Sequence, residues 1–213
     1  MSSLLIVESE NDKYFFEALI DSINKKIEVD KPICAIDDYE CLGGISHLEN
    51  KLRSIKAKIE KGLYDKIGII FDADEIGVKK RVEQIVEKIE LVVNEYRDKF
   101  RIFIINVDGK GELEDLLIKI KCKDSSIADC LHSWQECLDE DKKLKPKDFN
   151  KFWIQVYQRY DCCSKKEAKQ TSKYCDNKAS FQKGIYDLEH EILNKLKEFL
   201  KELGEYNDNI TSD

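Results

Sequence analysis

The sequence has no hydrophobic run long enough to cross a membrane. No stretch of its 213 residues approaches the roughly 18 consecutive apolar residues that a membrane helix needs. The N-terminus does not read as a signal peptide, because acidic residues begin at Glu8. These absences predict a cytoplasmic protein without membrane contact. Its hydrophobic content of 42% is ordinary for a folded chain.

Several signatures of catalytic and metal sites are also missing. None of the eight cysteines forms a C-x-x-C pair, and the three histidines lie in separate segments without metal-ligand spacing. No Ser-His-Asp or Cys-His arrangement can be traced. Gly109-Lys110-Gly111 lacks the other residues of a phosphate-binding P-loop. The sequence therefore argues against a zinc site, a serine or cysteine nucleophile and a nucleoside-triphosphate site.

Two hydrophobic runs that end in acidic residues are the most informative feature. Residues 4–7 are followed by Glu8, and residues 67–71 by Asp72 and Asp74. Each run is typical of a parallel strand covered by helices on both faces. Ligands bind outside the carboxyl ends of such strands, and side chains alternate along a strand, so Asp72 and Asp74 should point to one side and converge with Glu8. Because clustered carboxylates repel one another, the arrangement predicts a Mg²⁺ or Mn²⁺ site.

The rest of the N-terminal half alternates between helical and strand patterns. Apolar residues at helical spacing predict helices, and short apolar segments between them predict two more strands. Gly109 and Gly111 interrupt the chain before a further helix. The helices are expected at about residues 10–24, 44–62, 78–92 and from 112 onward, and the strands at 32–36 and 101–107.

The order of these residues resembles the Toprim domain, which topoisomerases, bacterial primases, recombination mediators and the nucleases of the overcoming-lysogenization-defect (OLD) group share. Its pattern is a strand ending in Glu, a glycine after the second strand and an Asp-x-Asp after the third. Here the glycine would be Gly43 or Gly44, between Glu8 and the pair Asp72 and Asp74. The usual glycine after the Glu is replaced by Ser9.

The resemblance covers roughly residues 3–120, and its details look closest to small stand-alone Toprim-like proteins and to the OLD nuclease group. These details are the segment 71–75 with the basic residues after it, and the acidic segment 111–117. The resemblance implies an α/β fold, a Rossmann-like Toprim domain with a central, mainly parallel four-stranded sheet flanked by helices. It also implies a Mg²⁺-dependent phosphodiesterase.

The resemblance suggests a role for each acidic residue. Asp72 and Asp74 would hold the metal, Glu8 would complete the metal shell or act as general acid or base, and Glu114 could help to hold a second ion. The structural alternatives are that Asp74 caps the following helix and that the acidic residues at 112–115 favour a helix N-terminus. Three basic residues in the first turn of the helix after Asp74 could steady a phosphate: Lys79, Lys80 and Arg81.

Beyond Lys121 only helical patterns remain, including an aromatic stripe over 149–160 and a last helix from about Asp187. We therefore expect a Toprim-like domain at 1–121, a helical extension at 122–204 packed on it, and a flexible tail at 205–213. Residues 142–184 hold twelve Lys or Arg against four Asp or Glu, in a chain with a net charge of -7. The excess of basic residues predicts that this segment contacts nucleic acid through Lys165, Lys166 and Lys169. The alternative is a lysine-rich face that is merely solvated.

Two classes of function are compatible with this sequence. The first is a Mg²⁺-dependent nuclease-like phosphodiesterase acting on DNA or RNA, which the full acidic set favours. The second is a non-catalytic Toprim-like binding or regulatory protein of DNA repair or phage defence, with a protein partner such as an ATPase. Net acidity, Ser9 and the lack of an attached ATPase favour the second class. The oligomeric state is left open by the sequence.

Overall fold

The computed structural model describes residues 2–34 and 44–205 of the chain. In this part of the chain a four-stranded, fully parallel sheet is flanked by helices. The strands are β1 (Ser2–Ile6), β2 (Glu28–Val29), β3 (Tyr64–Asp72) and β4 (Phe100–Ile105), in the spatial order β2-β1-β3-β4. The predicted α/β class with a Rossmann-like arrangement is confirmed.

Nine α-helices are described within these residues. Short 3₁₀ segments and one π-helical turn (Tyr157–Asp161) connect them. The helices are α1 (Glu10–Ser22), α2 (Gly44–Glu60), α3 (Val78–Val93), α4 (Leu113–Lys119), α5 (Ser126–Glu136), α6 (Pro146–Val156), α7 (Thr171–Tyr174), α8 (Asn177–Gln182) and α9 (Asn194–Leu203).

Two hydrophobic clusters cover the two faces of the sheet. Leu4 and Ile6 of β1 pack with α2 and α3 on one face. Leu5 and Val7 point the other way and pack with α1, α4 and α9. Because successive residues of β1 enter opposite clusters, the strand has to be apolar throughout. This explains the continuous hydrophobic run in the sequence.

The last helix, α9, lies directly on the sheet. A Cβ atom added at Gly68 of β3 would lie 2.6 Å from Leu203 Cδ2, and the rings of Phe103 and Phe199 are 5.3 Å apart. Residues before and after Lys121 share one hydrophobic cluster. The domain boundary at that residue remains a prediction, but the core continues across it.

The second strand lies earlier than predicted. β2 pairs with β1 at Glu28 and Val29, and the chain then runs on beside β1, where Cys34 N donates to Glu8 O at 2.8 Å. Pro32 has no N–H to donate, which interrupts the ladder within the predicted segment 32–36. Residues 35 and 36 of that segment lie outside the described residues.

The last helix begins later than predicted. It starts at Asn194, after a 3₁₀ segment at Glu191–Leu193, and not at Asp187. Asp187 instead forms a turn, because its Oδ1 accepts the Glu189 N–H at 2.9 Å. The predicted tail is described only at residue 205. No helix within 2–34 and 44–205 is long and apolar enough to cross a membrane.

Candidate functional site

A cavity of about 540 Å³ lies at the carboxyl ends of β1 and β3. Such an edge is where open parallel sheets bind ligands. Apolar side chains of α6 and α8, Ile154 and Phe181, form part of its wall. Most of the charged residues that line it are carboxylates, and two lysines of α6 accompany them: Glu8, Asp12, Asp72, Glu112, Glu114, Lys147 and Lys151.

Glu8 follows β1 and is held by the start of α2. Its Oε1 accepts the Gly44 N–H at 3.1 Å. A Cβ atom at Gly44 would lie 2.7 Å from that same oxygen, so only glycine lets the backbone approach the carboxylate. Burial raises the pKa of Glu8, although the Gly44 amide opposes this. Of the two glycines expected after the second strand, Gly44 is the one that lies against the Glu8 carboxylate, while Gly43 lies outside the described residues.

Asp72 closes β3 and links it to α4. Its Oδ1 accepts the Leu113 N–H at 3.1 Å. Burial raises the pKa of Asp72 well above its usual range, and the neighbouring carboxylates of Asp12 and Glu8 raise it further. The side chain therefore lies where a negative charge is unfavourable unless a cation accompanies it.

Asp12 is a member of the acidic cluster that the sequence did not single out. It forms a capping box with Ser9, whose N–H and Oγ–H donate to Asp12 Oδ2 at 2.7 and 2.8 Å. Only 7% of Asp12 is exposed, and burial raises its pKa to about 7. The Ser9-x-x-Asp12 spacing is visible in the sequence, but it signals a helix cap. Its closeness to Glu8 and Asp72 is a tertiary feature.

Ser9 stands where the Toprim pattern usually has glycine. Its φ is -126°, an extended conformation that any residue adopts. The position therefore does not require glycine in this chain, and the serine hydroxyl caps α1 instead.

Asp74 lies past the end of β3, and its backbone is in the left-handed region with a φ of 47°. The alternation of a strand therefore does not extend to it, which is why Asp74 and Asp72 bind different partners. Asp74 Oδ1 lies 3.0 Å from Lys147 Nζ, and Oδ2 pairs with Arg81. The alternative that Asp74 caps the next helix is wrong, because Gly77 is the N-cap of α3.

Arg81 belongs to the site itself. It is buried, and its Nε donates to Asp72 O at 2.9 Å while its guanidinium pairs with Asp74. It therefore braces the loop that follows β3. Lys79 and Lys80, predicted with it as phosphate contacts, are exposed on the first turn of α3.

Lys147 of α6 brings a positive charge to the acids. Its Nζ lies 3.0 Å from Asp74 Oδ1 and 3.0 Å from Glu112 Oε1. Burial lowers the pKa of Lys147, but the two carboxylates outweigh this and raise it overall. One helical turn later, Lys151 Nζ lies 4.0 Å from Glu112 Oε2. Both lysines belong to the basic segment 142–184, but nothing in the sequence singles them out within it.

The acidic residues at the start of α4 differ in their positions and contacts. Glu112 is its N-cap, and the Glu112 N–H donates to Asp115 Oδ2 at 2.8 Å, as expected for acids at a helix start. Glu114 lies in the first turn and faces the cavity. Within residues 2–34 and 44–205, no group of three or more Asp, Glu, His or Cys side chains is arranged to hold a metal ion. The acids instead face donors of the protein itself.

Only part of the basic segment 142–184 reaches these acids, through Lys147 and Lys151. A disulfide joins Cys163 and Cys175 and closes the segment between them. Its three predicted contact residues are exposed, and none of them lines the acidic cavity: Lys165, Lys166 and Lys169.

Comparison with family models shows which protein family this chain belongs to. The family model described as "Protein of unknown function (DUF3226)" matches residues 2–205. The chain belongs to the DUF3226 family. A search of curated proteins found no match. Among solved structures, the C-terminal region of the Burkholderia pseudomallei OLD protein is similar to this DUF3226 chain at 11% identity and a TM-score of 0.40. The match covers 95% of this chain and 98% of that one.

The site of this DUF3226 chain has a definite chemical character. Hard oxygen donors line one side of a cavity, and ammonium groups on α6 face them. Carboxylates of this kind can bind a divalent cation or move a proton, and lysines can bind an anion such as a phosphate.

Proposed function

We propose that this DUF3226 protein is a Mg²⁺- or Mn²⁺-dependent phosphodiesterase that acts on nucleic acid. The observation that carries the proposal is the convergence of Glu8, Asp12 and Asp72 on one cavity, where burial raises the pKa of each. An arrangement in which like charges meet in a buried place is unfavourable for stability. Such pKa shifts cluster at functional sites.

The chemistry of the donor set fits a hard divalent cation. Carboxylate oxygens are the ligands that Mg²⁺ and Mn²⁺ prefer, and no imidazole lies among the described residues that line the cavity. Because no three acids of the described residues are arranged around a metal position as they stand, Glu8, Asp12 and Asp72 would have to draw together to hold the ion, and Asp74 and Glu114 are the further acids that we propose as ligands. A bound divalent ion supplies Lewis-acid stabilisation of the charge on a reacting phosphate.

The protein's own residues account for the other requirements of the reaction. The raised pKa of Glu8 suits a group that takes a proton from an attacking water. Lys147 and Lys151 face the acids across the cavity and would bind the phosphate oxygens. Arg81 holds Asp74 and the carbonyl of Asp72, so it fixes the loop that presents both acids.

More distant basic residues would bind the flanking phosphates. Lys79 and Lys80 are exposed on the first turn of α3, directly before Arg81, and the disulfide-closed segment offers a second group of exposed lysines. In this second group, the residues that would bind phosphates of the nucleic-acid backbone are Lys165, Lys166 and Lys169.

One observation favours a second candidate, a binding or regulatory protein without catalysis. Arg81 and Lys147 already neutralise Asp74, as a structural ion-pair network would. Such a protein keeps the fold and can keep the metal, but it does no chemistry on its partner.

Nuclease assays and metal titrations separate the two candidates. The wild type should degrade at least one of supercoiled plasmid, single-stranded DNA and RNA with Mg²⁺ or Mn²⁺, and EDTA should stop it. Asp72→Asn should abolish this activity, whereas the exposed Asp98→Asn serves as the matched control and should keep it.

Metal binding is measured separately from cleavage. Calorimetry should detect Mn²⁺ binding to the wild type and not to Asp72→Asn. The ion should also raise the melting temperature of the wild type, since a ligand bound at 100 times its Kd adds about 2.7 kcal/mol to the free energy of unfolding. Metal binding without cleavage of any of the three substrates would support the binding protein, and activity that survives in Asp72→Asn would reject the proposed site.

A further inference from the structure

The acidic cavity has a neighbour on the other side of Lys147. This second cavity measures about 440 Å³ and is lined by Asp74, Arg81, Lys110 and Asn150, among others. Lys147 and Glu112 line both cavities. The ion pair between them, with Nζ 3.0 Å from Oε1, therefore forms part of the wall that separates the two spaces.

We propose that the two cavities hold consecutive nucleotides of a single, unpaired nucleic-acid strand, with the phosphate between them at Lys147. This inference rests on the proposed function and specifies its substrate. Each cavity falls within the range of about 300–1,000 Å³ that is typical of ligand pockets, so each can take one nucleotide.

Lys147 is the movable part of the wall. Half of its side chain is exposed, whereas only 10% of the Glu112 side chain is. Glu112 is fixed as the N-cap of α4, while the four-carbon stem of a lysine turns readily. Lys147 has two carboxylate partners, so its ammonium can turn from one of them to a phosphate oxygen while it keeps the other. A bridging phosphate then lies between the two cavities.

The burial of the acids selects an unpaired strand. Asp12 and Glu112 are 7% and 8% exposed, so a phosphate has to enter the cavity to reach them. A duplex keeps its phosphates on the outside of a stiff helix, whereas an unpaired strand can bend its backbone and splay its bases.

The polar lining of the cavities suits bases as well as phosphates. Asn11, Gln155 and Asn177 line the acidic cavity, and Asn150 lines the second one. Carboxamides offer both donors and acceptors, as the edges of bases require. Lys151 in the first cavity and Lys110 in the second supply one cation on each side of Lys147.

Fluorescence polarisation tests the proposal with labelled dT6, rU6 and a hairpin duplex, once in EDTA and once in Ca²⁺. The wild type should bind a single strand at least ten times more tightly than the duplex, and the two single strands show whether DNA or RNA is preferred. Lys151→Met and Lys110→Met should each weaken this binding about tenfold. The matched control is Lys119→Met, an exposed lysine of α4 outside both cavities, which should bind like the wild type.

Competition tests whether both cavities are used. The dinucleotide TpT should displace dT6 at a concentration at least ten times lower than dTMP does. Equal competition by dTMP, wild-type binding by Lys110→Met, equal affinity for the duplex, or no binding in either buffer would each overturn the proposal. If the protein cleaves nucleic acid but also gives one of these results, the proposed function holds and this inference is wrong. The expected binding without any cleavage supports this inference and rejects the phosphodiesterase.

Discussion

Replacement of Asp12 by Asn should stabilise the metal-free protein at neutral and alkaline pH. Asp12 is 7% exposed, and burial raises its pKa to about 7, with Glu8 and Glu114 adding to the effect. Folding at pH 8 therefore places a charge where it is unfavourable. Asparagine keeps the shape of the side chain and an oxygen that accepts from Ser9, but it carries no charge.

The magnitude follows from the pKa of Asp12. A rise from the usual 3.8 to about 7 corresponds to about 4 kcal/mol, since one pKa unit is worth about 1.36 kcal/mol. Asparagine weakens the two hydrogen bonds from Ser9, which costs roughly 1 kcal/mol. The variant should therefore exceed the wild type by about 3 kcal/mol in free energy of unfolding at pH 8.

The sign of the pH dependence is equally definite. Because the folded-state pKa of Asp12 is raised, its contribution to stability is complete below about pH 4 and is lost as the pH rises through about 7. The variant should thus be about 1 kcal/mol less stable than the wild type at pH 4, and the difference should change sign and grow up to pH 7. Urea unfolding in EDTA, followed by the fluorescence of the buried Trp153, measures both curves. Parallel curves, or a variant less stable than the wild type at pH 8, would refute the argument.

Two further substitutions test the structure around the site. Gly68→Ala should lower the free energy of unfolding by about 1–3 kcal/mol, because the new Cβ would lie 2.6 Å from Leu203 Cδ2 and 2.9 Å from Leu5 Cδ1; wild-type stability in a urea titration would mean that α9 does not pack on β3. Ser9→Ala should lower the free energy of unfolding by about 1 kcal/mol through loss of the cap of α1. An unchanged thermal unfolding curve of this variant would contradict the prediction.

The sheet could be predicted because its strands are buried on both faces. Helices cover β1 on both sides, so Leu4 to Val7 form an unbroken apolar run that no amphipathic helix would show. β2 contributes only the two pairs at Glu28 and Val29, which is too short to leave a periodic signal. The sequence pattern therefore favoured the apolar residues near Pro32 instead.

The acidic part of the site could be predicted only where an acid ends a strand. Glu8 and Asp72 follow the apolar runs, and parallel topology then brings them to one edge. Arg81 occupies a first-turn position that is normally exposed, and its burial arises because it folds back onto the carbonyl of Asp72. Lys147 is 73 residues away from Asp74 in the chain, and only tertiary packing brings the two together.

The C-terminal half is required for the site as well as for the core. Without the two lysines of α6, Asp74 would keep Arg81 but lose Lys147, and the buried Glu112 would lose both of its ammonium partners. A buried charge without a partner is strongly destabilising. Without α9, the face of the sheet at Gly68 and Leu5 would lose the side chain of Leu203. The segment before Lys121 therefore contains all the acids named at the site together with Arg81, and α6 supplies the two lysines that offset the remaining repulsion among the acids.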